Sequence, residues 1–240
     1  MRTLCVGDIH GSHKALLQCL ERSEFNKEED TLIQLGDVAD GRSQVPECVE
    51  ELLSIKNLIS IRGNHDKWCQ DWMETGMKPN LWINQGGQAT FDAYLRTGTS
   101  YEHLKSFFSK QHNYYVDSDN RAFVHGGYHS PKGLGHEQYQ ANYYWDRKLW
   151  MIAMSGEATR RGGDSKTAEL PRRLRAHKEV FIGHTTTGMW GKDTPMNACN
   201  VWNLDTGGGF EGKLTIMDVD TKEYWQSDTV KDLYPEENGR

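Results

Sequence analysis

The sequence predicts an α/β protein in which two mixed β-sheets pack as a sandwich flanked by helices. Three observations point there. The N-terminal part alternates short apolar runs with amphipathic ones, a β-α-β-α-β pattern that suits a parallel sheet covered by helices. The C-terminal half is richer in strands and closes on two that read as an antiparallel hairpin. Glycine-flanked polar residues recur at the ends of the apolar runs, where open α/β sheets bind ligands.

Taken in order, Thr3–Val6 reads as a strand, and Ser12–Leu20 as a helix with Ala15, Leu16, Cys19 and Leu20 on one face. Thr31–Leu35 is a second strand. Ser43–Ile55 is a second helix, with Pro46 in its first turn and Val49, Leu52 and Leu53 inward. Leu58–Ile61 is a third strand, followed by a helical stretch over Asp66–Met73. Further on, strands are expected at Arg121–Val124, Val180–Ile182, Val201–Leu204, Leu214–Val219 and Glu223–Gln226, with one helix over Tyr143–Met154. Ser155–Asp164, with Gly156, Gly162 and Gly163, reads as a mobile loop, and Tyr234–Arg240 as a frayed tail.

The 240 residues allow one or two domains. No repeat or linker divides them, so residues 1–230 read as one domain and 231–240 as a polar tail. A formal charge of −6 excludes a broad basic surface for nucleic acid. No apolar stretch resembles a signal peptide or reaches membrane-spanning length. Five separated cysteines without a Cys-x-x-Cys pair argue against a disulfide scaffold and for reduced thiols, hence a cytoplasmic location.

The chemistry gathers at five strand ends: Gly7-Asp8-Ile9-His10-Gly11, Gly36-Asp37-Val38-Ala39-Asp40-Gly41, Gly63-Asn64-His65-Asp66, His125-Gly126-Gly127 and Gly183-His184-Thr185. Asp8, His10, Asp37, Asn64, His125 and His184 offer carboxylate, imidazole and amide donors but no thiolate. That set suits Mn, Fe or Zn. Six protein ligands exceed what one open catalytic ion takes but fit two ions sharing a bridge, an arrangement that clamps an in-line displacement.

Order and spacing of these motifs resemble the calcineurin-like metallophosphoesterases, in particular the phosphoprotein phosphatase branch. Leu81-Trp82-Ile83-Asn84-Gln85-Gly86-Gly87 resembles a segment of bacterial and phage serine/threonine phosphatases. Leu204-Asp205-Thr206-Gly207 and Gly212-Lys213-Leu214-Thr215 look like the end of those enzymes and of symmetrical dinucleoside tetraphosphatases. The likeness spans roughly residues 3 to 220. It implies the metallophosphoesterase fold and two divalent ions, Mn²⁺ first, with Fe or Zn as alternatives. Asp8 and His10 would bind one ion, Asn64, His125 and His184 the other, and Asp37 would bridge. The implied reaction is in-line attack of a metal-bridging hydroxide on a phosphomonoester. His65 would be the general acid and Asp40 would orient its imidazole. The implied substrate is phosphoserine or phosphothreonine in a protein, or a small-molecule phosphate, with no nucleic-acid or membrane partner. Two alternatives stand beside it: symmetrical hydrolysis of dinucleoside tetraphosphates, and a metal-binding or interaction module that has lost catalysis.

One departure concerns phosphate binding. The family carries Arg directly after the acid at position 40, whereas this chain has Gly41 and then Arg42. Trp145-Asp146-Arg147 resembles a second family arginine motif, so Arg147 ranks first for phosphate, Arg42 second and Arg62 third. A lone Gly-Asp is an ordinary turn and a lone histidine an ordinary polar group; their recurrence at five strand ends carries the argument. His13, His103, His112, His129, His136 and His177 lack that setting. Asp205 is either a turn former or a partner for a ligand histidine. Tyr143, Tyr144, Trp145 and Trp150 read as helix packing rather than a stacking platform. Arg160–Lys178 has seven basic residues against Asp164 and Glu169. It reads as a solvated helix face or as an electrostatic guide for phosphorylated substrates.

Overall fold

Strands alternate between two cores. The computed structural model describes residues 1–162 and 169–239. Among them, one sheet contains β1 (Thr3–Val6), β2 (Thr31–Gln34), β3 (Asn57–Ser60), β9 (Thr215–Asp218) and β10 (Tyr224–Gln226), in the order β10-β9-β1-β2-β3. The other contains β4 (Tyr115–Val116), β5 (Arg121–Phe123), β6 (Glu179–Ile182), β7 (Met196–Ala198) and β8 (Val201–Asn203), in the order β4-β5-β6-β8-β7. Both sheets are mixed: β1, β2 and β3 run parallel while β9 and β10 are antiparallel additions, and β5, β6 and β8 are parallel with β4 and β7 antiparallel at the edges.

The two-residue period of each strand sorts its side chains. Cys5, Ile33, Phe123, Phe181 and Met217 share the core between the sheets, where Phe123 and Phe181 stack with centroids 4.9 Å apart. Their neighbours Leu4, Val6, Leu32 and Ile216 face helices α1 (His13–Arg22), α2 (Val45–Leu53) and α3 (Asn64–Thr75). Ala122, Val124, Val180 and Ile182 face the opposite helical layer. Burial on both faces explains why these strands read as unbroken apolar runs. No helix among the described residues is long and apolar enough to cross a membrane.

Three expectations need correction. The helix expected over Tyr143–Met154 is two helices, α7 (Asn142–Trp145) and α8 (Lys148–Gly162). Asp146 breaks them apart: its backbone turns extended (ψ 130°) and its carboxylate accepts the Leu149 N–H at 2.8 Å, capping α8. The loop expected over Ser155–Asp164 is helical through Gly162, while Gly163 and Asp164 lie outside the described residues. Gly156 is there for close approach, since a Cβ would lie 2.8 Å from Pro171 and 3.1 Å from the Cys199 sulfur. An Arg161–Glu157 pair and a bond from Cys199 N to Glu157 add support. Tertiary contact has outweighed glycine content.

The tail expected to fray is pinned as far as Glu237. After α9 (Val230–Leu233), Tyr234 is buried; its hydroxyl donates to Gln44 at 2.6 Å and accepts from Lys14 N. Glu237 accepts from Ser43 N and Oγ, both at 2.8 Å. Arg240 lies outside the described residues. Residues 77–110, for which the sequence predicted no elements, hold α4 (Asn80–Trp82), a π-turn over Ile83–Gly87, α5 (Gln88–Thr97) and α6 (Tyr101–Lys110). In the basic stretch, Arg175 pairs with Glu169 and Leu174 is buried under a short 3-10 turn, while Lys166 falls outside the described residues.

Candidate active site

Each candidate residue sits where a strand ends. Asp8 and His10 follow β1, Asp37 and Asp40 follow β2, and His125 and His184 follow β5 and β6. Asn64 and His65 are the first two residues of α3, so the chain turns at Gly63 straight into the helix. The turns are tight. His10, Asp37, Asp40 and His184 all have positive φ, a backbone region that costs such residues about 1–3 kcal/mol and persists where surroundings over-determine it. Glycines make room: a Cβ at Gly63 would collide with Asp37 Oδ1, and one at Gly183 with Asp8 Oδ1.

Asp37 is the centre. Its Oδ2 lies 3.5 Å from His10 Nε2 and 3.2 Å from His125 Nε2, and all three groups are buried. Nδ1 of His10 faces the Ala39 carbonyl at 2.9 Å and Nδ1 of His125 the Leu35 carbonyl at 2.8 Å. With the backbone taking Nδ1–H, each ring presents Nε2 to the cluster as an electron-pair donor, the usual way a histidine is oriented toward a metal. Asn64 Oδ1 lies 3.1 Å from His125 Nε2. Donor atoms of Asp37, His125 and His184 fall within 4.8 Å of one another, as do those of His10, Asp37 and His65. A carboxylate shared by two imidazole-bearing groups fits a pair of divalent cations.

The buried carboxylate and imidazoles also shift one another's titration, and a cation bound at Nε2 would have to displace the proton this favours. Burial opposes ionisation of Asp37, but the charges of His125, His65 and His10 hold its carboxyl well below the usual range. Burial opposes charging His125, and Asp37 and Asp8 outweigh it, raising the imidazole to about 9. Asp8 belongs to neither donor triad among the described residues. Its carboxylate accepts the His184 N–H at 3.1 and 3.3 Å. Asp8 thus lies against the backbone of His184.

His65 and Asp40 meet. Nδ1 of His65 is 2.7 Å from Asp40 Oδ2, with both side chains buried. Two residues not singled out in the sequence for this role hold Asp40: Trp82 Nε1 donates to Oδ2 at 2.8 Å and Thr90 Oγ1 to Oδ1 at 2.7 Å. Burial raises the Asp40 carboxyl above its ordinary range, and these three hydrogen bonds offset part of that rise. Asp66 was also missed. Its carboxylate gathers the N–H groups of Asp37, Val38, Ala39 and Gly63, and Gln111 Nε2, so it shapes the turn that carries Asp37. Asp66 lies inside the Gly-Asn-His-Asp motif, which was the available signal. Trp82 lies inside the Leu81–Gly87 segment noted in the sequence, which gave no sign of its partner, and Thr90 had no local signal.

The arginines divide. Arg147 Nη1 donates to the His184 carbonyl at 2.8 Å and to Thr185 Oγ1 at 3.0 Å, at the rim of the cluster. Arg42 is buried, and its guanidinium donates to the Glu237 and Phe210 carbonyls and lies 5.9 Å from the Tyr234 ring. This cation, expected second for phosphate, here fastens the Glu237 and Phe210 carbonyls. Arg62 donates to the Phe108 carbonyl. Asp205 closes a turn on Gly207 N. Of the aromatic group, Tyr143 and Trp150 pack inside, but Trp145 is 43% exposed.

Relatives bear on this geometry. The chain is 26% identical over 219 residues to serine/threonine-protein phosphatase 1 of Salmonella typhimurium, covering 89% of this chain and 90% of that one. It is 44% identical over 70 residues to a symmetrical bis(5'-nucleosyl)-tetraphosphatase of Aliivibrio fischeri, which is 28% of this chain and 25% of that enzyme. Its fold matches a protein serine/threonine phosphatase from Saccharomyces cerevisiae with a TM-score of 0.59 at 14% identity, covering 95% of this chain and 80% of that one. The sequence profile of the calcineurin-like phosphoesterases matches residues 1–205, and the chain belongs to that family.

Proposed function

We propose that this phosphatase hydrolyses phosphomonoesters with two divalent metal ions, acting on phosphoserine or phosphothreonine in proteins. The observation that carries the reading is Asp37, whose Oδ2 stands between His10 Nε2 at 3.5 Å and His125 Nε2 at 3.2 Å. Asp8 and His10 would hold one ion, Asn64, His125 and His184 the other, and Asp37 both. Bound there, Mn²⁺, Fe or Zn supplies Lewis-acid charge and an activated water for in-line displacement at phosphorus. The chain does the rest. Arg147 grips phosphoryl oxygens at the rim, and His65 delivers a proton to the leaving oxygen. Asp40, held by Trp82 and Thr90, orients that imidazole and stabilises the charge it carries.

The strong match over 70 residues to a symmetrical tetraphosphatase favours a second reading, in which the substrate is a dinucleoside tetraphosphate. One panel decides: phosphate release from a phosphoseryl peptide against ADP formation from diadenosine tetraphosphate, each with Mn²⁺, Fe²⁺ and Zn²⁺. Peptide turnover at the higher kcat/KM supports the first reading, and ADP formation at the higher kcat/KM supports the second. No turnover of either substrate, or of an aryl phosphate, with any metal leaves the non-catalytic module.

A further inference from the structure

Six aromatic rings form a chain around the cluster. His10 meets His65 at 4.9 Å between centroids, His65 meets Trp68 at 5.1 Å, Trp68 meets Trp145 at 5.1 Å, Trp145 meets His184 at 6.0 Å and His184 meets His125 at 4.9 Å. The four imidazoles are buried in the site. The two indoles are different. They come from separate helices, Trp68 one turn after His65 on α3 and Trp145 at the end of α7. Their planes meet at 69°, which makes a corner rather than a slab. Trp145 keeps 43% of its surface exposed although its neighbour Tyr143 is buried.

Their position is what matters. The proposed proton donor His65 touches Trp68, and Arg147, two residues after Trp145, reaches the His184 carbonyl and Thr185. A substrate with its phosphoryl group between Arg147 and the cluster, and its leaving oxygen at His65, has its leaving group beside both indoles. A planar ring can cover an indole face and meet the second indole edge-on, the arrangement aromatic pairs favour. A short alkyl chain covers little of either.

We infer that Trp68 and Trp145 form the leaving-group subsite and favour phosphomonoesters of planar aromatic alcohols, as in phosphotyrosyl peptides. The inference rests on the phosphomonoester-hydrolase reading and departs from its phosphoserine and phosphothreonine assignment, since it ranks aryl above alkyl leaving groups. Aryl leaving groups are intrinsically more reactive, so the test measures binding. Calorimetry on the Mn²⁺-loaded protein compares phenylphosphonate, cyclohexylphosphonate and methylphosphonate, none of which is hydrolysed. The expected result is about tenfold tighter binding of phenyl- than of methylphosphonate, about 1.4 kcal/mol, with the cyclohexyl compound weaker than the phenyl one. W145A should bring the phenyl-to-methyl ratio close to one, and W145F should retain part of it. Melting curves report whether each variant folds, and W145F keeps the test decisive if W145A does not. Equal binding of the three compounds in the wild type, or a ratio unchanged in a folded variant, overturns the inference. Hydrolysis of phosphomonoesters alongside equal binding leaves the phosphatase reading standing. Absence of both binding and hydrolysis overturns both.

Discussion

His65 illustrates what one residue owes to its surroundings. Its imidazole is useful as an acid only if one nitrogen is held and the other is presented, and Asp40 does the holding at 2.7 Å. His65→Asn should lower kcat by about 10²–10⁴-fold, the range for a lost general acid, while metal content by elemental analysis stays unchanged. Loss of metal together with activity would make His65 a ligand, as its place in a donor triad with His10 and Asp37 allows. The pairing of position 65 with position 40 was legible through the family resemblance. The donors that hold Asp40, Trp82 and Thr90, were not, because a buried carboxylate takes whichever donors the fold brings near, from any distance along the chain. Arg42 makes the same point. One residue from the expected place, it turns to the C-terminal segment, and no local pattern announces that direction.

Elements were legible where periodicity was strong. The central strands of both sheets and the first helices lie within a few residues of their expected places, because burial on both faces writes itself into continuous apolar runs. Boundaries near the site depended on side-chain capping. Asp146→Ala removes the acceptor for Leu149 N and should destabilise the protein by about 0.5–2 kcal/mol in denaturant unfolding. It should also disturb Arg147, whose position follows from that break.

A second element-scale prediction concerns Asp30, just before β2. It accepts from Arg2 N at 2.7 Å and Arg2 Nη2 at 2.9 Å. Burial acts against ionisation there, but these hydrogen bonds and the Arg2 charge hold the carboxyl below its ordinary value. A carboxyl depressed on folding adds stability above its unfolded value of about 3.9, and that stability is lost as pH falls through the folded value. Asp30→Asn should therefore lower the Tm at pH 7, with the gap from wild type closing as pH falls below about 4. A gap independent of pH would remove the ionic contribution.

At the scale of the molecule, the sandwich brings residues 8 to 184 to one edge of two sheets, and the C-terminal segment crosses back to Ser43 and Arg42. Deleting residues 234–240 removes Tyr234 from its buried site and strips Arg42 of its carbonyl partner at Glu237. A lower Tm is expected, and an unchanged Tm would show that the segment merely rests on the surface. The sequence by itself determined the family, the α/β class and the residues proposed to hold metal and move a proton, because ligand chemistry needs particular side chains at strand ends. Tertiary structure alone decided which donors hold Asp40, that Asp8 stands beside His184, that Arg42 faces the C-terminal segment, and that two tryptophans from separate helices meet beside the site. Those are long-range contacts, set by how the two sheets and their helices pack, and local residue order does not encode which distant groups arrive.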